Sequence, residues 1–358
     1  MESTPLPEIT ALTPQALAQL MPGAKGQPSQ AHARAVWRWL RAGGIPAAWP
    51  DHLPEAGHAA LVRLQARAVL PRLTVAEQRR SRDGTLKWRL DARGLALETV
   101  LIPNPRRSTV CISSQSGCTR FCDFCATARM GFAGQLTAGE MVAQVLLARA
   151  HAPQGAPATN VVFMGMGEPM DNLDEVLTAV EVLEHGLSLG PRHVTVSTSG
   201  VLPKMETFVE RSRACLALSL HATTNALRTT LMPRVAKWPL EALCAFMRDV
   251  SKRDPNRHFF IEYVLLRDVN DSDEDAQRLV ALMDGVRARI NLLPFNPVDD
   301  AGYQRPDDAR VRAFQARVVA GGLLCLTRET RGVDAGAACG QLVVLGGARA
   351  VGSAPPPV

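Results

Sequence analysis

The chain has no run of apolar residues long enough to span a bilayer, so a membrane-crossing helix is excluded. Its first residues, Met1 to Pro7, offer neither a basic n-region nor an apolar h-region, so no signal peptide is expected. A cytoplasmic protein with no membrane partner is the resulting expectation. Internal repeats are absent, which sets aside solenoids and propellers. Aromatic residues are few, and the 46% of hydrophobic residues is ordinary for a globular protein. The 358 residues suffice for a large core and more than one structural unit.

Acidic residues are sparse in one stretch. Between residues 31 and 93 lie twelve basic residues, among them Arg79, Arg80, Arg82, Lys87 and Arg89, against five acidic ones. The net charge of the whole chain is +6, so this segment alone accounts for the excess. Such a face attracts phosphate backbones, and RNA binding is one reading. A solvated basic surface is the other.

Cysteine is not sparse. There are eight: Cys111, Cys118, Cys122, Cys125, Cys215, Cys244, Cys325 and Cys339. In a reducing compartment they are not a disulfide framework. Cys118, Cys122 and Cys125 form a C-x3-C-x2-C run with Phe124 before the last member. Thiols this close usually bind metal. Structural zinc takes four protein ligands, and no second pair lies at a suitable spacing. Cubane iron–sulfur clusters take cysteines in such runs, normally four. Three would leave one iron open, and an open metal position usually signals chemistry. The other cysteines also read as small buried hydrophobes, which suits the neighbours of Cys215, Cys244 and Cys325.

Periodicity predicts helices over Ala31–Leu40 and Ala59–Leu70, after a loosely packed start through residue 30. Residues 1–90 read as a small, mainly helical accessory domain that binds RNA. Strands are expected at Leu86–Leu90 and Ala96–Ile102. From about residue 108, short β-rich runs alternate with amphipathic helices, which implies βα units and a parallel sheet. An α/β fold, a full or partial TIM-like (β/α) barrel, is expected over residues 91–346. A disordered tail is expected at 347–358. Cys118–Cys125, Gly165–Pro169, Ser197–Gly200, Ser219–His221 and Asn296-Pro297 each follow a predicted strand. In a parallel barrel such loops share the C-terminal face, where barrel enzymes keep their sites.

The run C-x3-C-x-Φ-C, with Phe124 as Φ, resembles the signature of the radical S-adenosylmethionine (SAM) superfamily. Gly165-Met166-Gly167-Glu168-Pro169 resembles that superfamily's motif for the SAM amino group; by itself Glu168 reads equally as a helix-start carboxylate. Together with Cys111–Cys118, Ser197–Gly200, Ser219-Leu220-His221-Ala222 and Ala338-Cys339-Gly340-Gln341-Leu342, the chain from about residue 31 to 342 is similar to the RNA adenine methyltransferases of the superfamily. It is most similar to those acting on adenine carbon-2 in 23S ribosomal RNA and transfer RNA. The resemblance implies a [4Fe-4S] cluster on Cys118, Cys122 and Cys125. It implies SAM bound near Phe124, Gly167, Glu168, Ser199, Ser219, His221 and Asn296. A reductant such as flavodoxin or ferredoxin and action as a monomer are expected.

The resemblance also implies a route. Adenine carbon-2 lies between two ring nitrogens and is too electron-poor to attack a SAM methyl. Cys339 would first take a methyl group from one SAM as S-methylcysteine. A radical from a second SAM would remove hydrogen from that methyl, and the thiomethylene radical would add to the ring. Glu98 would accept the ring proton, and Cys111 would release the product by forming a transient disulfide with Cys339. By itself Glu98 reads as a surface charge on an edge strand, and His221 as a packed core histidine. Arg328 and Arg331 read as RNA phosphate contacts or solvated surface. The alternatives are methylation at carbon-8, associated with antibiotic resistance, a small-molecule radical SAM enzyme, and a non-catalytic iron–sulfur protein that binds RNA or senses redox state.

Overall fold

The computed structural model describes residues 5–23, 26–53, 56–298 and 301–344; the expected tail at 347–358 lies outside the described residues. Twelve strands run among them in chain order: β1 (Leu73–Arg80), β2 (Leu86–Ala92), β3 (Leu95–Pro103), β4 (Ser108–Cys111), β5 (Gln115–Gly117), β6 (Phe132–Gln135), β7 (Ala158–Phe163), β8 (Val194–Thr198), β9 (Cys215–Ser219), β10 (Phe259–Leu265), β11 (Ala288–Pro294) and β12 (Leu324–Thr327). Ten of them form one sheet, ordered β1-β2-β3-β4-β7-β8-β9-β10-β11-β12. The first three pairings are antiparallel. From β4 onward every pairing is parallel. Helices Ala138–Ala150, Leu173–His185, Leu202–Arg211, Leu240–Arg253, Asp273–Leu282 and Asp308–Ala320 supply the crossovers. The edges β1 and β12 do not pair with each other among the described residues. The architecture is thus the partial form of the expected α/β barrel.

Strand alternation decides what faces where. In β10, Phe259 meets Phe246 of one crossover helix, and Tyr263 stacks on Phe314 of another. The odd-numbered residues of β10 are therefore its helix face, and all are fully buried. Glu262 lies on the other, inner face. The register sets it beside Ser219 of β9 and Asn291 of β11. The apolar half of each strand holds the fold together, and the polar half is left for the interior.

Helix Ala138–Ala150 starts on a capping box, with Thr137 and Glu140 exchanging side-chain-to-backbone bonds. It is buried along most of its length between the sheet and helix Gln30–Gly43. Its Gln144 accepts from Thr99 Oγ1 and the Ser113 N–H and donates to the Ser113 carbonyl. The start of the chain is not loosely packed. Ile9, Leu17 and Met21 are fully buried, and Thr13 caps helix Pro14–Leu20. Pro14 sits at the first helical position, where a missing N–H costs nothing, so it opens the helix instead of breaking the chain. The second expected helix is shorter than read, His58–Gln65, and β2 runs across residue 90. No described helix is long and apolar enough to cross a membrane.

Beyond β12 the chain turns back. A segment from Gly332 to Val344 crosses from β12 to the β1–β3 side of the sheet. Asp334 is tied to Ser81 Oγ and the Arg82 N–H, the Gly332 N–H donates to Asp83, and Lys87 donates to the Gly336 carbonyl. Hydrogen bonds spanning more than two hundred residues of chain thus bring the two sides of the open sheet together.

Candidate active site

The three-cysteine run lies between β5 and β6, which pair antiparallel. Gly117 opens it at φ +73°, and a Cβ there would sit 1.8 Å from the Gly131 carbonyl oxygen. Only glycine fits that contact. The Cys118 N–H donates to the same carbonyl at 2.9 Å and closes the base of the loop. The Asp123 N–H donates to the Leu231 carbonyl, and the Ala126 N–H to that of Gly340. Thr127 Oγ1 donates to the Leu342 carbonyl. The loop is therefore stitched to the C-terminal segment.

Burial pushes the Cys118 thiol up to about 12 and the Cys122 thiol well above its ordinary range; Cys125 adds to both rises. The neighbouring cation, Arg120, is engaged by Asp171. As thiolates these groups need a strongly cationic partner, and metal coordination deprotonates thiols outright. Among the described residues no three His, Cys, Asp or Glu side chains converge as a single-ion site. Three half-buried thiols on one loop suit a polynuclear cluster, whose irons occupy separate corners.

The loop after β7 backs onto the segment after β4. Gly167, at φ +109°, leaves no space for a Cβ against Gln115. The Glu168 N–H donates to Gln115 Oε1. The buried Glu168 carboxylate accepts from the Met170 N–H at 3.0 Å and the Ser199 N–H at 2.8 Å. It thereby ties the end of β7 to the end of β8. Ser199 Oγ is buried with no hydrogen-bond partner, while its carbonyl accepts from Arg228. Ser219 Oγ lies 3.4 Å from Ser197 Oγ at the neighbouring strand ends.

His221 follows β9 in a left-handed conformation, φ +58°. The Val264 N–H donates to its Nδ1 at 3.0 Å, which leaves the proton on Nε2. Burial, with a smaller push from Arg228, drives its pKa down to about 3. The ring is therefore a neutral donor at physiological pH. It meets Phe124 edge-on, with ring centroids 5.0 Å apart. The last two residues of the C-x3-C-x2-C run are packed against the loop after β9 by this contact.

Cys111 ends β4 and is buried, which pushes its thiol up to about 12; Cys339 adds to that rise. Cys339 is exposed, although protein packs closely around its thiol. Burial and then the Glu262 carboxylate push its thiol up to about 11. Asn296 Nδ2 donates to the Cys339 carbonyl at 3.1 Å, and Gln341 Nε2 to that of Pro297. Cys111, Cys125 and Cys339 thus share one neighbourhood, although they stand far apart in sequence.

Glu98 is buried at mid-strand in β3, so it is not a surface charge. Its Oε1 pairs with Lys87 Nζ at 2.9 Å, and its Oε2 accepts from the Val343 N–H at 3.0 Å. Burial raises its pKa, and Lys87 opposes the rise. It lines a cleft of about 130 Å³ with Glu77, Arg79, Arg89, Gln341 and others, under the C-terminal segment. Among the cysteines read as core residues, Cys244 and Cys325 are buried and Cys215 is half-buried.

Glu262 was not legible as a site residue. The available signal was one carboxylate inside the apolar run Phe259–Leu265. It is buried, Asn291 Nδ2 donates to its Oε1 at 2.8 Å, and Arg328 lies 3.9 Å from the same oxygen. Arg328 is exposed, with its guanidinium at the edge of this buried carboxylate.

Comparison with known proteins agrees with this geometry. Residues 112–280 match the radical SAM superfamily. A protein of Halorhodospira halophila named dual-specificity RNA methyltransferase RlmN is 44% identical over 315 residues, 87% of each chain. One of the same name from Alcanivorax borkumensis is 43% identical, over 82% of this chain and 80% of its own. The crystal structure of a radical SAM methyltransferase from Sphaerobacter thermophilus superposes with a TM-score of 0.85 at 37% identity, covering 94% of this chain and 99% of that one. With its cysteine loop, parallel sheet and C-terminal segment in this arrangement, the chain belongs to the radical SAM RNA methyltransferases of the RlmN type.

Proposed function

We propose that this RNA methyltransferase methylates carbon-2 of an adenosine in 23S ribosomal RNA, at the peptidyl transferase centre, and in transfer RNA next to the anticodon. The observation that carries the reading is the placing of Cys111, Cys125 and Cys339 in one neighbourhood under the C-terminal segment. Two thiols beside a cluster loop are what a methyl-carrying cysteine and its resolving partner require. Simple SN2 methyl transfer to carbon-2 would need neither.

Cys118, Cys122 and Cys125 would hold the [4Fe-4S] cluster. When bound, the cluster supplies the electron that cleaves SAM. Glu168 and the backbone around Gly167 would bind the SAM ammonium, and the partnerless Ser199 Oγ suits a ligand hydrogen bond. His221 would donate from Nε2, with Ser219, Phe124 and Asn296 lining the rest. Cys339 would carry the methyl group from a first SAM, in a ping-pong use of two. Cys111 would attack the Cys339 sulfur, free the methylated adenine and leave a transient disulfide. Glu98 would take the ring proton once the segment holding Val343 and the Lys87 pair let it turn; its raised pKa suits that task.

The basic segment through residue 90 would hold the RNA, in the cytoplasm, and a flavodoxin- or ferredoxin-like carrier would supply electrons. The test is anaerobic cluster reconstitution, then assay on 23S ribosomal and transfer RNA transcripts with mass mapping of the modified base. 2-Methyladenosine on both is expected, and its loss in Cys339→Ala. A methyl group at carbon-8, or a Cys339→Ala enzyme of full activity, would overturn the reading.

A further inference from the structure

The cysteine loop shows little of itself to solvent. Of residues 118–125 only Phe121 and Asp123 are exposed. Asp123 is engaged, its carboxylate accepting from the Tyr303 hydroxyl at 2.8 Å. Phe121 is 46% exposed and takes φ +55°, a region that a bulky residue adopts only under constraint. An exposed ring adds little to stability and a left-handed backbone subtracts from it. The fold therefore does not account for a phenylalanine here. One peptide bond joins Phe121 to Cys122.

The chain that follows β9 lays positive charge beside this ring. Residues 225–240 contain Arg228, Arg234 and Lys237 and no acidic residue. Arg228 is buried, whereas Arg234 and Lys237 are exposed. The Arg234 guanidinium lies over the Phe121 ring, 4.8 Å from its centre. Lys237 lies 4.5 Å from the centre of the Trp238 ring, over which Arg120 of the loop also sits at 6.0 Å. The bond from the Asp123 N–H to the Leu231 carbonyl fixes the same two segments together. Among the described residues neither Arg234 nor Lys237 forms an ion pair. An exposed aromatic flanked by unpaired cations has the composition of a protein-docking centre.

From this geometry we propose that Phe121, Arg234 and Lys237 form the docking surface for a flavin-bearing electron-carrier protein with an acidic face. Such a carrier presents the apolar edge of its flavin within a rim of carboxylates, and an apolar centre flanked by cations complements it. RNA also meets cations and aromatics, but base stacking needs a clear ring face, and Arg234 covers one face of Phe121. The proposal rests on the reading of Cys118, Cys122 and Cys125 as cluster ligands. One electron leaves the carrier's reduced flavin and enters the cluster; no bond forms or breaks, and no proton moves. Electron transfer weakens steeply with distance, and Phe121 brings the flavin to the peptide that leads to Cys122.

The test uses the cluster-loaded enzyme, an Arg234→Glu, Lys237→Glu double variant and Phe121→Asn. Asparagine tolerates positive φ, so that variant should fold at least as well as wild type. Oxidised flavodoxin is titrated onto each protein at rising salt. Wild-type affinity should fall with salt. At low salt the double variant should bind at least about tenfold more weakly, with a flatter salt dependence. Formation of 5′-deoxyadenosine from SAM is then measured with reduced flavodoxin, reduced ferredoxin or dithionite. Both variants should lose at least about tenfold with flavodoxin and keep the wild-type rate with dithionite. Unchanged flavodoxin binding in the double variant would refute the surface. So would an equal loss with flavodoxin and dithionite, which assigns these residues to the fold, or a loss confined to ferredoxin. Weakened transfer-RNA binding with carrier binding intact would assign them to RNA and also overturn the proposal. The binding arm needs neither SAM nor RNA, so its outcome is separable from the carbon-2 reading. Iron content after reconstitution checks the cluster reading on its own.

Discussion

His221 shows how one residue couples backbone, burial and chemistry. Its ring accepts the Val264 N–H, so the side chain stands in for a missing backbone partner. His221→Ala leaves that donor unsatisfied and should cost about 1–3 kcal/mol in urea unfolding. The histidine also carries a pH dependence. Its folded pKa of about 3 lies below the ordinary value of 6.5, so the unfolded chain binds the extra proton first. Stability due to this group is therefore intact above about pH 6.5 and is lost as pH falls toward 3. Wild type should lose more stability than His221→Ala between pH 7 and pH 5; equal losses would refute a buried neutral ring. Gly117 is the second residue of this kind. Gly117→Ala puts a methyl into the Gly131 carbonyl at positive φ, with an expected cost of about 2 kcal/mol or more. Thermal unfolding should show the loss, and iron bound after reconstitution should drop with it.

At the scale of elements, the parallel strands and five of their six crossover helices were legible, because one face of each strand is apolar and most of the helices are amphipathic. β1 was not. Leu73–Arg80 is exposed along nearly its whole length, so no burial pattern marks it, and it is a strand because it pairs with β2. Helices Leu202–Arg211 and Asn225–Leu231 were also missed. The first has Pro203 near its start, and the second is only two turns long. Cluster, SAM and thiol motifs were legible as motifs. That the C-terminal segment joins them came from the resemblance alone, through the expected pairing of Cys111 with Cys339; its ties to Ser81, Lys87 and Thr127 span more than two hundred residues and carry no local signal. That element makes its own prediction. Burial works to raise Asp83, but N–H donation from Thr85 and Gly332 outweighs it and lowers the pKa to about 2. An Asp83→Ala, Asp334→Ala double variant removes the anchors at Gly332, Ser81 and Arg82. Limited proteolysis between residues 328 and 344 should accelerate severalfold, while the parallel strands keep their hydrogen-exchange protection.

For the whole molecule, charge and chemistry sit on different parts of the same sheet. The exposed Arg80 and Arg82 lie at and just past the end of β1, an edge strand of the ten-stranded sheet. Replacing both by alanine should weaken RNA binding and reduce the slope of log affinity against log salt by about 1 to 2, if each meets a phosphate. Iron content after reconstitution should not change. An unchanged slope would mean that these arginines are solvated surface and that RNA enters elsewhere.

The crossing of Gly332–Val344 also sets an order of events in time. Contacts such as Ser81 with Asp334, or Thr127 with Leu342, close loops of more than two hundred residues. Contacts that distant form late in folding, after neighbouring strands and helices have zipped. Until they form, the cysteine loop lacks the covering that Gly340 and Leu342 later give it. If the three thiols hold the cluster as proposed, the newly made protein has an interval in which iron and sulfide would reach them before Cys339 arrives. Pulse-labelled hydrogen exchange during refolding should find residues 332–344 protected after β7 to β10, with cluster insertion fastest in between.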